Sequence, residues 1–202
     1  MLCRHLITPF ALVSLGAATV ACTRQDAATT DTTQTAVAPA AGAADTGMSA
    51  MPGMDQSPAK DADQEFVRMM VDHHEGMIAM SDSLIAKNPP ADVKADAEKM
   101  RSKQKTEQQQ MTAMLKTDYA EDKMPMVMSS NASMISDVAS KTGADAGKAY
   151  RENTIKHHEE GIKMIDDYMS RLTKPAVKQM AAKMKDDQTR EIAELKSKLA
   201  KS

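Results

Sequence analysis

The sequence predicts an all-α protein, an antiparallel four-helix bundle built from two repeated helical hairpins. Three observations predict it. Long segments carry apolar residues at alternating three- and four-residue steps, and no segment alternates with the period of a strand. Two proline-containing breaks, Asn88-Pro89-Pro90 and Thr173-Lys174-Pro175, each divide a pair of such segments. The first pair then returns, without a gap, 84 positions later. His73 and His74 align with His157 and His158, Glu75 with Glu159, Ile78 with Ile162, Met80 with Met164, Gln104 with Gln188 and Glu107 with Glu191. A hairpin cannot bury its apolar face alone, so two copies pack into one bundle of pseudo-twofold character.

In chain order, residues 1–21 read as a signal peptide of the lipoprotein type. Arg4 and His5 precede an apolar run, 6–21, too short for a membrane span. Cys22 follows Thr19-Val20-Ala21, at the place where bacterial lipoprotein signals are cut. The expectation is lipidation of Cys22 and a location in the periplasm or at the outer membrane. Plain secretory cleavage after Ala21 gives the same compartment without the anchor. Cys3 leaves with the signal and lipidation consumes Cys22, so the mature domain has no thiol for soft-metal chemistry. Residues 22–60 form a flexible tether of Ala, Thr, Gly, Pro and Asp. Its Met48, Met51 and Met54 are spaced by three, resembling the Met-x-x-Met runs of copper transporters, and a thioether clamp and a plain linker are equal readings.

Residues 61–202 make the bundle: repeat one 61–118, a linker with a short helix 119–143, and repeat two 144–202. Helices are expected over 61–87, 91–117, 129–140, 145–172 and 175–201. Asn88 is expected as an N-cap with Pro89 in the first helical position, and Gly143 as the break before the third long helix. Met124, Met126 and Met128 surround Pro125 in the linker as possible accessory thioether ligands. The chain of 202 residues has 19 Met, two Phe, three Tyr and no Trp, so Met must supply much of the core. Methionine fills irregular space but specifies packing poorly, which makes stability alone a weak reason for its abundance. A net charge of −2 with interspersed signs offers no nucleic-acid face.

Helical phasing puts Phe66, Met70, His73, Met77, Met80 and Leu84 on one stripe of the first helix. Val67, Val71, His74, Ile78 and Ile85 lie beside it, whereas Arg68, Asp72, Glu75 and Asp82 face solvent, so both histidines point inward. The second helix presents Val93, Ala97, Met100, Gln104, Glu107, Met111 and Met114. Even rise along the folded hairpin sets His73 level with about position 106, between Gln104 and Glu107. The same construction sets His157 level with Gln188 and Glu191. Each hairpin is thus expected to bury a His-His pair opposite Gln-x-x-Glu. Such clusters are either a hydrogen-bonded core that fixes register or a metal site, because an unpaired buried carboxylate costs several kcal/mol. Duplication and the flanking thioethers favour the metal.

The ligand types select it. The Glu-x-x-His of di-iron bundles is absent, since Met70, Val71, Thr154 and Ile155 stand three residues before the histidines. Zinc gains nothing from methionine, whereas imidazole with thioether suits Cu(I), and imidazole with oxygen also holds Cu(II). The expected copper ligands are Met70, His73, His74, Met77, Met80, Gln104, Glu107, Met111 and Met114 in the first repeat. In the second they are His157, His158, Met164, Gln188 and Glu191. Met70, Met77, Met111 and Met114 become Thr154, Gly161, Leu195 and Lys198, so the first repeat is expected to favour Cu(I) and the second to be weaker or to suit Cu(II). Gly76 and Gly161 each cost about 1 kcal/mol relative to Ala in a helix interior, and either permit a close approach or are tolerated defects.

At these motifs the chain resembles the family called domain of unknown function 305, whose pattern is Met-x-x-His-His, then Ile-x-Met, with a later Gln-x-x-Glu and Met. Met70, His73, His74, Ile78, Met80, Gln104, Glu107 and Met111 carry it in the first copy. His157, His158, Ile162, Met164, Gln188 and Glu191 carry it in the second, where Thr154 and Leu195 depart from the two methionine positions. The resemblance spans residues 63–199 and implies a ferritin-like bundle. Because the family includes secreted copper-binding proteins, it also implies copper sequestration or handoff in the envelope. The partners implied are the copper ion and envelope copper-transport proteins, with a lipid anchor as the membrane contact. No nucleophile–base pair, nucleotide loop or redox cysteine argues for an enzyme. The rival readings are a metal-dependent redox enzyme on the same bundle and a structural envelope lipoprotein that binds a protein partner.

Overall fold

The computed structural model describes residues 57–201, all within one compact unit, Gly53–Ser202. The expected signal segment, Cys22, and Met48, Met51 and Met54 of the expected tether lie outside the described residues. The described chain forms five helices: α1 (Ala62–Ile85), α2 (Ala91–Tyr119), α3 (Ser129–Ala139), α4 (Gly143–Met169) and α5 (Pro175–Leu199). Among the described residues there is no strand.

Local chemistry sets the helix ends. Asp61 caps α1 by accepting the Gln64 N–H at 2.7 Å, and Asp63 and Glu65 add negative charge to its first turn. At the first hairpin turn the expectation about Asn88 is corrected. Asn88 is not a cap for α2: it adopts a left-handed conformation with φ 49° just beyond α1, and α2 starts after Pro90, which has no capping side chain. Two physical preferences compete for that asparagine, and the proline that follows it disfavours the right-handed helical region. α2 continues to Tyr119 and closes at Ala120, φ 55°, with Glu121 N–H bonded to the Leu115 carbonyl and Ala120 N–H to that of Lys116. Gly143, φ 56°, turns the chain out of α3 and is the first residue of α4, two positions before the expected start. Pro175 opens α5, and the Asp63 carboxylate accepts the Thr173 and Lys174 amides, so the start of α1 braces the turn between α4 and α5.

Contacts along the helices define their directions. Gln108 donates to the Val71 carbonyl and Arg101 to Asp82, which makes α1 and α2 antiparallel. Phe66 meets Tyr168 at one end of the α1–α4 contact, with ring centroids 5.7 Å apart, and Ser81 meets Tyr150 at the other, oxygens 2.9 Å apart. α4 and α5 are joined by Lys185–Asp166 and Lys196–Glu159, and α2 and α5 by Lys103–Glu191 and Lys99–Glu194. The four long helices therefore run up, down, down and up. The parallel pair α2 and α4 is linked by the long crossover that contains α3, the connectivity of ferritin-like bundles. α3 packs on α1 and α4.

The interior holds two apolar clusters. One contains Phe66, Met70, Met111, Leu115, Ile165 and Met184; the other contains Met77, Met80, Leu84, Met100 and Tyr150. Met70 and Met77 bracket His73 on its own helix face, so a polar layer interrupts the core midway. No helix among the described residues is long and apolar enough to cross a membrane.

Candidate metal centre

Four histidines form this polar layer, each 1% exposed or less. Successive residues on a helix diverge by about 100°, so His73 and His74 reach different neighbours. Their rings are 6.3 Å apart and edge-on. His73 points across the bundle to its counterpart His157, with ring centroids 3.8 Å apart and planes 30° apart. His74 points sideways to α2, where its Nε2 lies 3.0 Å from Glu107 Oε2. In the other hairpin His158 Nε2 lies 3.1 Å from Glu191 Oε2. The layer is therefore one central histidine pair shared by both hairpins, flanked by two His–Glu pairs. The expectation of a separate His-His cluster in each hairpin assumed that both histidines of a pair face their own second helix.

Hydrogen-bond partners fix the tautomers. His157 Nε2 is 3.0 Å from the His73 carbonyl, which can only accept, so Nε2 carries the proton and Nδ1 keeps its lone pair. His74 Nε2 donates to the Glu107 carboxylate by the same logic. Neither Nδ1 has a hydrogen-bond partner among the described residues, and neither do the two ring nitrogens of His73. The side-chain oxygens and nitrogens of Gln104 and Gln188 are also without partners and buried in this layer. Buried polar groups are normally satisfied, so this concentration of unpartnered donors and acceptors is what needs an explanation. Burial, aided by the neighbouring histidines, holds His73 well below the ordinary imidazole pKa and lowers that of His157 to about 3. Both are neutral at physiological pH, the state in which imidazole ligates a metal.

The remaining expected ligands divide by position. Met70 and Met111 lie in one flanking apolar cluster, with Met114 and Met164 at its edge, and Met77 and Met80 lie in the other. Glu107 and Glu191 are not enclosed: their side chains are 15% and 13% exposed on the face where α2 meets α5. Burial works against the charge of Glu191, but His158 and Lys103 hold its carboxyl below the usual range. Met124 is exposed and Met126 and Met128 are half-buried in the crossover, which Asp72 anchors through Lys123 and the Met126 N–H. Among the described residues no three His, Cys, Asp or Glu side chains come together to hold an ion by themselves.

Two glycines shape the layer. A Cβ on Gly161 would lie 2.7 Å from Gln188 Oε1 and 3.0 Å from His73 Cε1, so the missing side chain makes room for the polar layer. A Cβ on Gly76 would lie 1.7 Å from Asn131 Nδ2, so this glycine seats α3 against α1. Asn131 was not singled out by the sequence, and neither was Lys103. This lysine reaches Glu191 at 2.7 Å, Asp187 at 3.2 Å and Glu107 at 4.0 Å. One signal for it was available: 84 residues beyond Lys103 stands Asp187, its opposite in charge.

The model of a family described as a domain of unknown function, DUF305, matches residues 16–115 and again 116–199. The chain belongs to the DUF305 family. Among solved structures, a DUF305 fragment from Deinococcus radiodurans is 18% identical with a TM-score of 0.63, covering 72% of this chain and 100% of that one. A DUF305 protein from Streptomyces coelicolor, described as secreted, is 22% identical with a TM-score of 0.63 and covers 71% of this chain and 95% of its own. CopM in its Cu(II)-bound form is 20% identical with a TM-score of 0.58, covering 69% of this chain and 96% of that one. CopM has also been solved with Cu(I) and with silver. At these identities the likeness is one of fold. No curated protein matches the chain.

Proposed function

We propose that this DUF305 protein binds copper in the bacterial envelope, as a lipid-anchored or periplasmic carrier that sequesters the ion or hands it to copper-transport proteins. The observation that carries the reading is the central layer, where neutral imidazoles and carboxamides lie buried without hydrogen-bond partners between two methionine-containing clusters. The donors fit copper. His74 and His157 each present an Nδ1 without a hydrogen-bond partner while their other nitrogen donates to an oxygen, the arrangement that orients metal-binding histidines. Because no three His or carboxylate groups converge, a bound ion completes its set with the Gln104 or Gln188 oxygen or with thioethers. Thioethers favour Cu(I) over zinc. Met70, Met77, Met80 and Met111 are all within 1% of full burial, and the first three lie on α1 with His73 and His74. The first hairpin is accordingly the Cu(I)-favouring half and the second suits Cu(II). The relatives support this direction, since CopM was solved with both copper states. The proposed role is binding rather than turnover.

The test uses the protein carrying Cys3→Ser and Cys22→Ser, so that thiols do not contribute. After equilibration with Cu(I) under anaerobic conditions, or with Cu(II), and desalting, the protein is expected to retain copper. The combination of His73→Ala and His157→Ala is expected to lose it. A folded protein that leaves the column metal-free overturns the proposal.

A further inference from the structure

Helix packing encloses the histidine layer on three of its four sides. α1 meets α4 at the stacked His73 and His157 rings, with α3 packed on both helices, and each hairpin closes its own side, α1 on α2 and α4 on α5. On the fourth side α2 and α5 are held together by long charged side chains rather than by close backbone approach: Lys103–Glu191, Lys99–Glu194 and Lys198–Asp96. A groove of about 440 Å³ opens in this seam, and Lys103, Thr106, Glu107, Met180, Lys183 and Met184 are among its lining residues.

Glu107 joins the groove to the layer. Its side chain is 15% exposed, and its Oε2 lies 3.0 Å from Nε2 of the fully buried His74. Three residues earlier on α2, and therefore on the same helix face, stands Gln104, fully buried and without a hydrogen-bond partner. Groove, carboxylate, imidazole and carboxamide thus lead from solvent into the layer. The groove wall also suits a soft ion, because Met180 and Met184, one turn apart on α5, bring thioethers to it. What opposes a cation here is Lys103, whose ammonium bridges the seam at 2.7 Å from Glu191, 3.2 Å from Asp187 and 4.0 Å from Glu107. We propose that the α2–α5 groove is the port through which a soft cation reaches the histidine layer, with the Met180 and Met184 thioethers along its wall, Glu107 at its inner end and Lys103 as the latch across it. The identity of the ion rests on the copper reading; the route itself is a property of the metal-free protein.

An obstacle on a path raises the barrier to entry and exit alike, so it slows both and leaves the equilibrium affinity unchanged. Thr106 is exposed on the groove, whereas Lys105, the neighbouring residue, is exposed in a hollow on the α1–α2 side. In the full chain carrying Cys3→Ser and Cys22→Ser, Cu(I) transfer from a chelator and back is followed by stopped flow under anaerobic conditions. Thr106→Trp is expected to slow both directions by about tenfold or more at unchanged affinity, Lys105→Trp to change neither, and Lys103→Gln to speed uptake. A second measurement needs no metal: reaction of the buried histidines with diethyl pyrocarbonate, mapped by mass spectrometry, is expected to slow in Thr106→Trp and to quicken in Lys103→Gln. Equal effects of the two tryptophans overturn the port, as does the absence of any effect from Thr106→Trp. Unchanged rates in folded Lys103→Gln overturn the latch, a test that stands even where Thr106→Trp fails to fold. If histidine labelling follows the groove while no protein retains copper, the route stands and the copper reading falls. If copper is bound and neither measurement responds to Thr106→Trp, the copper reading stands and the route falls.

Discussion

His157 gives its Nε2 proton to the His73 carbonyl and stacks on the His73 ring, and both rings are buried too deeply to welcome a second proton. The consequence for stability has a definite sign. Burial first, and neighbouring histidines second, lower the His157 pKa from 6.5 to about 3, and His73 moves in the same direction. Between those values the unfolded chain binds protons that the folded chain refuses. The metal-free protein is therefore expected to lose stability as pH falls below about 6.5, by about 1.4 kcal/mol per pH unit for each histidine that stays neutral. Above that range these residues contribute no pH dependence. Urea unfolding at pH 7.5, 6 and 5 measures the slope, and His157→Gln is expected to flatten it by one histidine's share. Parallel slopes in the two proteins refute the assignment.

Gly76 permits a second prediction at the same scale. Alanine normally gains about 1 kcal/mol over glycine inside a helix. Here its Cβ would fall on the Asn131 amide, so Gly76→Ala is expected to destabilise by about 1–3 kcal/mol as an overpacked site. Asn131→Ala in the same chain should restore only part of that loss, because the residue's own Cβ lies 2.8 Å from the added carbon, and a double-mutant cycle on thermal unfolding detects the coupling. The sequence located the histidines on the inner face because phasing depends only on spacing. It could not say that His73 meets His157, because folding one hairpin back on itself contains no information about how two hairpins dock. For the same reason Asn131 was invisible: nothing near it in the sequence marks the glycine it rests on.

At the scale of elements, helix starts and stops were legible where one residue has one strong preference, as with Pro175 opening α5. They were misread where preferences compete. Asn88 serves well either as a cap or in the left-handed region, and here it takes the latter while its N–H closes the end of α1 on the Ile85 carbonyl. The end of α2 shows a different compromise. Ala120 sits at φ 55° in a closing motif that glycine usually occupies, and a left-handed conformation costs a residue with a Cβ about 1–2 kcal/mol. Ala120→Gly is therefore expected to stabilise the protein by about 1 kcal/mol, read as a rise in melting temperature. A fall would mean that the Ala120 methyl group makes packing contacts worth more than the relief of its backbone. Since this residue also begins the crossover to α3, the same variant tests whether that connection is a stable part of the bundle.

For the whole molecule, the arrangement of the two hairpins makes one central layer out of duplicated parts, and the divergence between the parts then becomes a difference between the two sides of that layer. The side built on α1 and α2 has Met70, Met77 and Met111 in its apolar packing, where α4 and α5 have Thr154, Gly161 and Leu195. Packing alone does not require sulfur at the first three positions, since leucine has nearly the same volume and such exchanges usually cost less than about 1.5 kcal/mol. Coordination of Cu(I) by the bundle would require it, because residues 57–201 contain no cysteine and a thioether is their only soft donor. Met70→Leu combined with Met111→Leu is therefore expected to leave the fold and the Cu(II) affinity nearly intact while weakening Cu(I) binding by tenfold or more. Competition with a Cu(I) chelator under anaerobic conditions, beside a Cu(II) titration, separates the two effects. Loss of both affinities would mean that the substitutions had disturbed the histidine layer itself. Retention of both would show that the methionines only pack, and that selection between copper states lies in the imidazole and amide groups between them.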